Sequence, residues 1–287
     1  MQVTCVYPMG YCEGVQKAIS LAIKAKGEHP NQDVYLLGGL IHNQATMDEL
    51  SKRGLILLDE RKTPLKKSLE SLKEGDVVVF SAHGHDKKLD EIAKNKGIIC
   101  YDATCSYVED NLREANRIKG SFPIIYIGSK GHAESEAFLS NCPEAHFYDL
   151  KGDALLSKPE DGSAPHIICQ TTISYPELYG AFNKIRELYP EAVIGKERCN
   201  ATSLRQEGIR KLDSKVDVVI VLGSVYSNNS TKLFEIAKSR GFEAHLCRDL
   251  AEVKALDLSA KKNAALASGA STSTEVYKQV LEYLRSL

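Results

Sequence analysis

Thr104-Cys105-Ser106-Tyr107 lies near the middle of the chain, and two other segments repeat its plan: Tyr11-Cys12-Glu13-Gly14 and Arg198-Cys199-Asn200-Ala201. In each, a strand-like stretch ends in a cysteine that opens a helical pattern. The spacing is nearly constant, 93 residues from Cys12 to Cys105 and 94 from Cys105 to Cys199. Self-similarity at a fixed period marks a repeated structural unit. After each cysteine a second strand ends in a polar group, at Ile41-His42-Asn43, Gly131-His132-Ala133-Glu134 and Ser227-Asn228-Asn229. A third ends at Ala82-His83-Gly84, Gln170-Thr171-Thr172 and Gly269-Ala270-Ser271.

The runs between these points are continuous and apolar, as in Asp33-Val34-Tyr35-Leu36-Leu37-Gly38, Asp76-Val77-Val78-Val79-Phe80-Ser81 and Asp217-Val218-Val219-Ile220-Val221-Leu222-Gly223. Such runs, bounded by turn residues and alternating with helices, predict parallel strands buried on both faces. Helical spacing follows the cysteines, with Val15, Ile19 and Ile23 after Cys12 and Val108, Leu112 and Ala115 after Cys105. The expected fold is α/β: three similar α/β units, at 1–104, 105–198 and 199–287, each with a small parallel sheet. Ligands bind outside the carboxyl ends of such strands. A pseudo-threefold trefoil would therefore turn all nine strand ends toward one central cavity.

The formal net charge of -1 leaves no global field to recruit nucleic acid or an acidic membrane, so an anionic substrate must be held by local donors. The N-terminus has neither a basic leader nor a long apolar run, and no stretch approaches a membrane span. A cytoplasmic protein is expected. Eight cysteines in that compartment stay reduced, and no C-x-x-C pair suggests a zinc ribbon.

Three thiolates, one per repeat, suit a 4Fe–4S cluster with one iron left open to a substrate oxygen. Cys12, Cys105 and Cys199 would each sit at a helix N-terminus, where amides and the dipole favour thiolate. Cys5, Cys100, Cys142, Cys169 and Cys247 lack that placement and are expected in the core. His42, His83, Ser227, Asn228, Asn229 and Ser271 make a set of donors for a diphosphate, although histidines at strand ends and Ser-Asn runs also serve as plain structural groups and helix caps. Glu134 is the natural proton donor if its cavity is dry, with Thr171 as a relay; otherwise it is a first-turn carboxylate facing the helix dipole.

These residues also carry a family likeness. Gly10-Tyr11-Cys12-Glu13-Gly14-Val15, Ser81-Ala82-His83-Gly84, Asp102-Ala103-Thr104-Cys105, His132-Ala133-Glu134 and Cys199-Asn200-Ala201-Thr202-Ser203-Leu204-Arg205-Gln206 stand in the same order along essentially the whole chain. In them the sequence resembles 4-hydroxy-3-methylbut-2-enyl diphosphate reductases of isoprenoid synthesis. The resemblance implies cluster ligation by Cys12, Cys105 and Cys199, with the diphosphate held by His42, His83, Ser227, Asn228, Asn229 and Ser271. It further implies that His132 and Thr171 flank the substrate hydroxyl, that Glu134 gives the proton, and that ferredoxin or flavodoxin gives the electrons. Departures from the family pattern are Ser106, Ala133 and Ser273 in place of proline, Val225-Tyr226 in place of Lys-Asn, and Asn228 in place of Ser or Gly. They keep open a paralogue with another substrate. Open-cluster condensation of the quinolinate synthase kind, and a diphosphate-binding redox sensor without turnover, share parts of the pattern.

Overall fold

The structure, a computed structural model, describes residues 1–159, 163–195 and 199–287. Arg198, quoted above in the third cysteine segment, lies outside the described residues. The chain begins with β1 (Gln2–Cys5), α1 (Glu13–Glu28), β2 (Val34–Leu37), α2 (Gln44–Lys52), β3 (Leu55–Leu58), α3 (Leu65–Glu70), β4 (Val77–Phe80), α4 (Lys88–Asn95) and β5 (Ile99–Asp102). It continues through α5 (Ser106–Ile118), β6 (Ile124–Gly128), α6 (Ala133–Asn141), β7 (His146–Asp149), β8 (Ala154–Leu155), β9 (His166–Cys169), α7 (Tyr175–Leu188) and β10 (Val193–Ile194). The last stretch holds α8 (Asn200–Arg210), β11 (Val218–Leu222), α9 (Asn228–Ser239), β12 (Glu243–Cys247), α10 (Leu250–Lys254), β13 (Asn263–Ser268) and α11 (Thr274–Ser286).

Three sheets result, ordered β3-β2-β4-β5, β8-β7-β6-β9-β10 and β12-β11-β13-β1. Every described pairing is parallel except β7 with β8. The fold is α/β with small parallel sheets, as expected. The sheets share one plan. An edge strand (β5, β10 or β1) precedes a cysteine of the repeat, and the two strands inward from it precede the polar segments.

Sheet membership departs from the expected boundaries at one strand. β1 falls within 1–104 by position but pairs with β13, in the register Gln2↔Asn263 to Cys5↔Leu266. Its exposure alternates along Gln2–Cys5, which suits an edge.

By internal contacts the chain divides into two compact units. One comprises Met1–Gln16, Ile41–Glu49 and Cys199–Leu287, with the β12-β11-β13-β1 sheet; the other comprises Lys17–Leu40 and Leu50–Arg198, with the other two sheets. In the first unit, Val218, Ile220 and Leu222 of β11 pack with Tyr277, Val280 and Leu284 of α11, while Val219 and Val221 pack with Leu233 and Ala237 of α9. A strand covered on both faces has no polar side to alternate, which is why β11 reads as an unbroken apolar run. Strands β4 and β6 are buried throughout in the same way in the second unit. Each such side chain contributes about 1.5–3 kcal/mol by leaving water. No helix among the described residues is long and apolar enough to cross a membrane.

Candidate functional site

The polar segments lie past the strand ends, and half of them cap helices. Strand β6 stops at Gly128, and His132 is the N-cap of α6; β11 stops at Leu222, and Ser227 is the N-cap of α9. Asn43 Oδ1 accepts from Thr46 N–H at 3.1 Å at the head of α2. The first amides of a helix need acceptors, so polar residues collect where strand-to-helix loops turn.

In the second unit these groups are bonded to one another. Glu134, only 3% exposed, accepts from the Thr171 backbone N–H at 2.8 Å and from the Thr171 hydroxyl at 2.9 Å. Burial pushes its carboxyl up from 4.5 to about 7, outweighing the two Thr171 hydrogen bonds that lower it. The Thr171 loop is itself pinned. Gln170 Oε1 accepts from Ser129 N–H and the Ser135 hydroxyl, its Nε2 donates to Thr172, and Asn111 Nδ2 donates to Cys169 O. His132 Nδ1 accepts from Glu134 N–H at 3.2 Å, which puts the proton of a neutral ring on Nε2. The His83 ring meets His132 edge to face at 6.2 Å. Gly84 lets this loop seat closely. Its φ is +84°, and a Cβ there would press on Val108 and Ala137 at 3.2 and 3.4 Å. Cys105, the N-cap of α5, donates its N–H to Ala82 O at 3.0 Å, and its carbonyl accepts from Val108 and Glu109.

In the first unit two of the equivalent side chains, Asn229 and Ser271, are buried without a partner among the described residues. Ser227, Asn229 and Ser271 are all under 9% exposed, and Ser227 spends its hydroxyl capping Ser230 N–H. Among the described residues, neither end of the Asn229 amide nor the Ser271 hydroxyl has a hydrogen-bond partner. His42 is half-buried just ahead of α2, and Asn228 is half-buried in the first turn of α9. Unpaired buried donors of this kind fit an anion's oxygens.

Cys12 and Cys199 belong to the first unit, and each directly precedes a helix, α1 and α8. Burial raises the Cys12 thiol, and the amides of Val15 and Gly14 at the start of α1 only partly offset it. The dipole expectation is therefore outweighed there. Cys199 is near enough to add to the ionisation cost of Cys12, and both thiols stand by the guanidinium of Arg205. All eight cysteines are free thiols; Cys142, Cys169 and Cys247 are buried as expected. Cys100 is not a core residue: it is exposed, because β5 is an edge strand.

Among the described residues no three His, Cys, Asp or Glu side chains gather as a single metal ion would require. A polynuclear cluster asks for a different set, since each thiolate binds its own iron. Cys12 and Cys199 offer donors of that kind in the first unit, as half-buried free thiols at helix starts beside Arg205, and Cys105 is a half-buried free thiol at a helix start in the second.

The departures from proline also have local reasons. Ser106 and Ala133 are the first residues of α5 and α6, a position where proline is favoured but not required. Ser273 caps α11 through its own hydroxyl, accepting from Val276 N–H at 3.2 Å. Val225 and Tyr226 are exposed in the loop before Ser227.

Arg205 is a residue that the sequence does not mark as a candidate by itself. It is 2% exposed, and its guanidinium donates to Ser268 O, Ala201 O and Gly10 O. Nothing in a lone arginine within a helical segment distinguishes it from the solvent-facing arginines that are the rule.

The model of the LytB protein family matches residues 3–285. Among curated proteins, the chain is 34% identical to a 4-hydroxy-3-methylbut-2-enyl diphosphate reductase of Macrococcus caseolyticus, over 99% of this chain and 89% of that one. It is 33% identical to the Bacillus subtilis protein of the same name, over 99% and 90%. Among solved structures it resembles E-1-hydroxy-2-methyl-but-2-enyl-4-diphosphate reductase from Plasmodium falciparum, with TM-score 0.86, 28% identity, and 99% of this chain and 87% of that one covered. It also resembles a structure of (E)-4-hydroxy-3-methyl-but-2-enyl diphosphate reductase, described as the terminal enzyme of the non-mevalonate pathway. That match has TM-score 0.68, 26% identity and full coverage of both chains.

Proposed function

The chain belongs to the LytB protein family, and from that premise we propose that it is a 4-hydroxy-3-methylbut-2-enyl diphosphate reductase, the activity its relatives are named for. The net change consumes two electrons and two protons. The allylic C–O bond breaks, the oxygen leaves as water, and a C–H bond forms to give isopentenyl or dimethylallyl diphosphate.

A 4Fe–4S cluster on Cys12, Cys105 and Cys199 supplies, when bound, the electrons and an iron with a free position for the hydroxyl oxygen. The remaining work falls to side chains. Glu134 stores a proton, because its burial keeps a large share of the carboxyl neutral near pH 7. The Thr171 hydroxyl, 2.9 Å away, both accepts and donates and so passes that proton outward. His132 offers its Nε2–H to the departing oxygen. His42, His83, Ser227, Asn228, Asn229 and Ser271 hold the diphosphate with local donors, as a chain of net charge -1 requires. Electrons come from a ferredoxin or flavodoxin in the cytoplasm, a part of the proposal that rests on the family resemblance alone.

The observation that carries this reading is the buried Glu134–Thr171 pair in a chain matched along its length by reductases. Its test is anaerobic purification, quantitation of iron and sulfide, and reduction of the hydroxylated diphosphate with an artificial donor. Iron and sulfide in equal amounts and consumption of the substrate are expected, and Cys105→Ser should lack the brown absorbance. Cluster-loaded protein that leaves the substrate untouched would refute the assignment.

A further inference from the structure

Arg205 is the largest of the fully buried side chains, and it sits on α8, six residues after Cys199. Two of its three hydrogen bonds reach other pieces of chain, Nη2 to Gly10 O at 2.6 Å and Nε to Ser268 O at 3.2 Å, and the third returns within α8, Nη1 to Ala201 O at 2.9 Å. Gly10 lies two residues before Cys12, and Ala201 two residues after Cys199. Gly10 is held further by its N–H, which donates to Ser268 Oγ at 3.0 Å, and by its φ of +74°. A Cβ there would strike Thr274 Oγ1 at 2.5 Å.

Carbonyl oxygens satisfy the guanidinium's hydrogens but bring no net charge. A buried cation calls for an anion. Among the described residues no carboxylate forms an ion pair with Arg205; the acidic groups that stand by it are the thiols of Cys12 and Cys199, whose ionised forms would favour its charge. Both are cluster ligands in the function proposed above, on which this step rests.

We propose that Arg205 is a positioning residue that joins the Cys12 loop to the head of α8 and supplies the counter-charge for the two thiolates and the cluster they carry. A fixed positive charge beside an iron–sulfur cluster favours its reduced form, so net charge nearby is one of the levers on its potential.

The test uses full-length protein, reconstituted anaerobically, as wild type, Arg205→Gln and Arg205→Lys. Iron, sulfide and the midpoint potential from a spectroelectrochemical titration are measured. Arg205→Gln should either load less than half the wild-type iron or hold a cluster of more negative potential, while Arg205→Lys keeps the wild-type potential. A fully loaded Arg205→Gln with the wild-type potential would overturn the proposal. So would an Arg205→Lys protein displaced as far as Arg205→Gln, because charge would then not be the property that matters. A wild-type chain that takes up no cluster would instead refute the reading of the site as a whole, an outcome distinct from either.

Discussion

Glu134 and Asn229 occupy the same place in two repeats. Each is the second residue of its helix, α6 or α9, behind an N-cap at the carboxyl end of a buried strand, and each is less than 5% exposed. Thr171 and Ser271 match in the same way, in the loops after β9 and β13. Glu134 and Thr171 are joined by two hydrogen bonds, whereas the side chains of Asn229 and Ser271 are bonded neither to each other nor to any other described residue. The difference separates a group that the protein completes by itself from groups whose capacity is kept for something else. An unsatisfied buried polar group costs about 1–3 kcal/mol, and a ligand that bonds it returns that energy as affinity. On this view the proton store is preassembled, and the diphosphate end gains its order on binding.

The sharpest way to break the comparison is Glu134→Gln, which keeps shape and removes the acid. Turnover should fall on the order of 10²–10⁴-fold, with substrate affinity and cluster content unchanged. Wild-type kcat in that variant would reduce Glu134 to a structural group.

Next in size is the pH dependence of stability. With its carboxyl at about 7 in the folded chain against 4.5 for the ordinary group, Glu134 holds its proton longer folded than unfolded. The folded state binds more protons between these values, so stability should fall as pH rises through that window, on the order of 3 kcal/mol from this residue. Denaturant melts at pH 5 and pH 8 should show the loss in wild type and a smaller one in Glu134→Gln.

Thr171→Val removes the hydroxyl from Glu134 Oε2 and should destabilise the protein by roughly 1–3 kcal/mol, since the partner stays buried. Asn229→Leu should behave in the opposite sense. It removes atoms that are unbonded in the free chain, so Tm should hold or rise, while the Kd for the diphosphate weakens about tenfold, near 1.4 kcal/mol. A large drop in Tm would show that the Asn229 amide is satisfied after all.

Much of this is legible in the sequence alone. Val34–Leu37, Val77–Phe80 and Val218–Leu222 are strands because burial on both faces leaves them no polar side, and that constraint is written directly in composition. The three cysteines sit at helix starts as their spacing implied. Other features depend on partners distant in the chain. Nothing in Gln2-Val3-Thr4-Cys5 says that it pairs with Asn263–Leu266, since an edge strand's pattern specifies a face and not a neighbour. His132 and Ser227 read as strand tips because a capping side chain and a strand-end side chain draw on the same residue types. Arg205 is hidden in the sequence because its role depends on two carbonyls, Gly10 O and Ser268 O, contributed by distant segments.

The pairing of β1 with β13 has a consequence for biosynthesis. A ribosome delivers Gln2–Cys5 well before the strand that receives them, Asn263–Ser268. The nascent segment carrying Cys12 must therefore wait, without its sheet, while later residues are made and fold around their own sheets. Completion of the sheet that leads into Cys12 is therefore a late event, and a message cut short before Asn263 would yield a product in which β1 lacks the strand it pairs with.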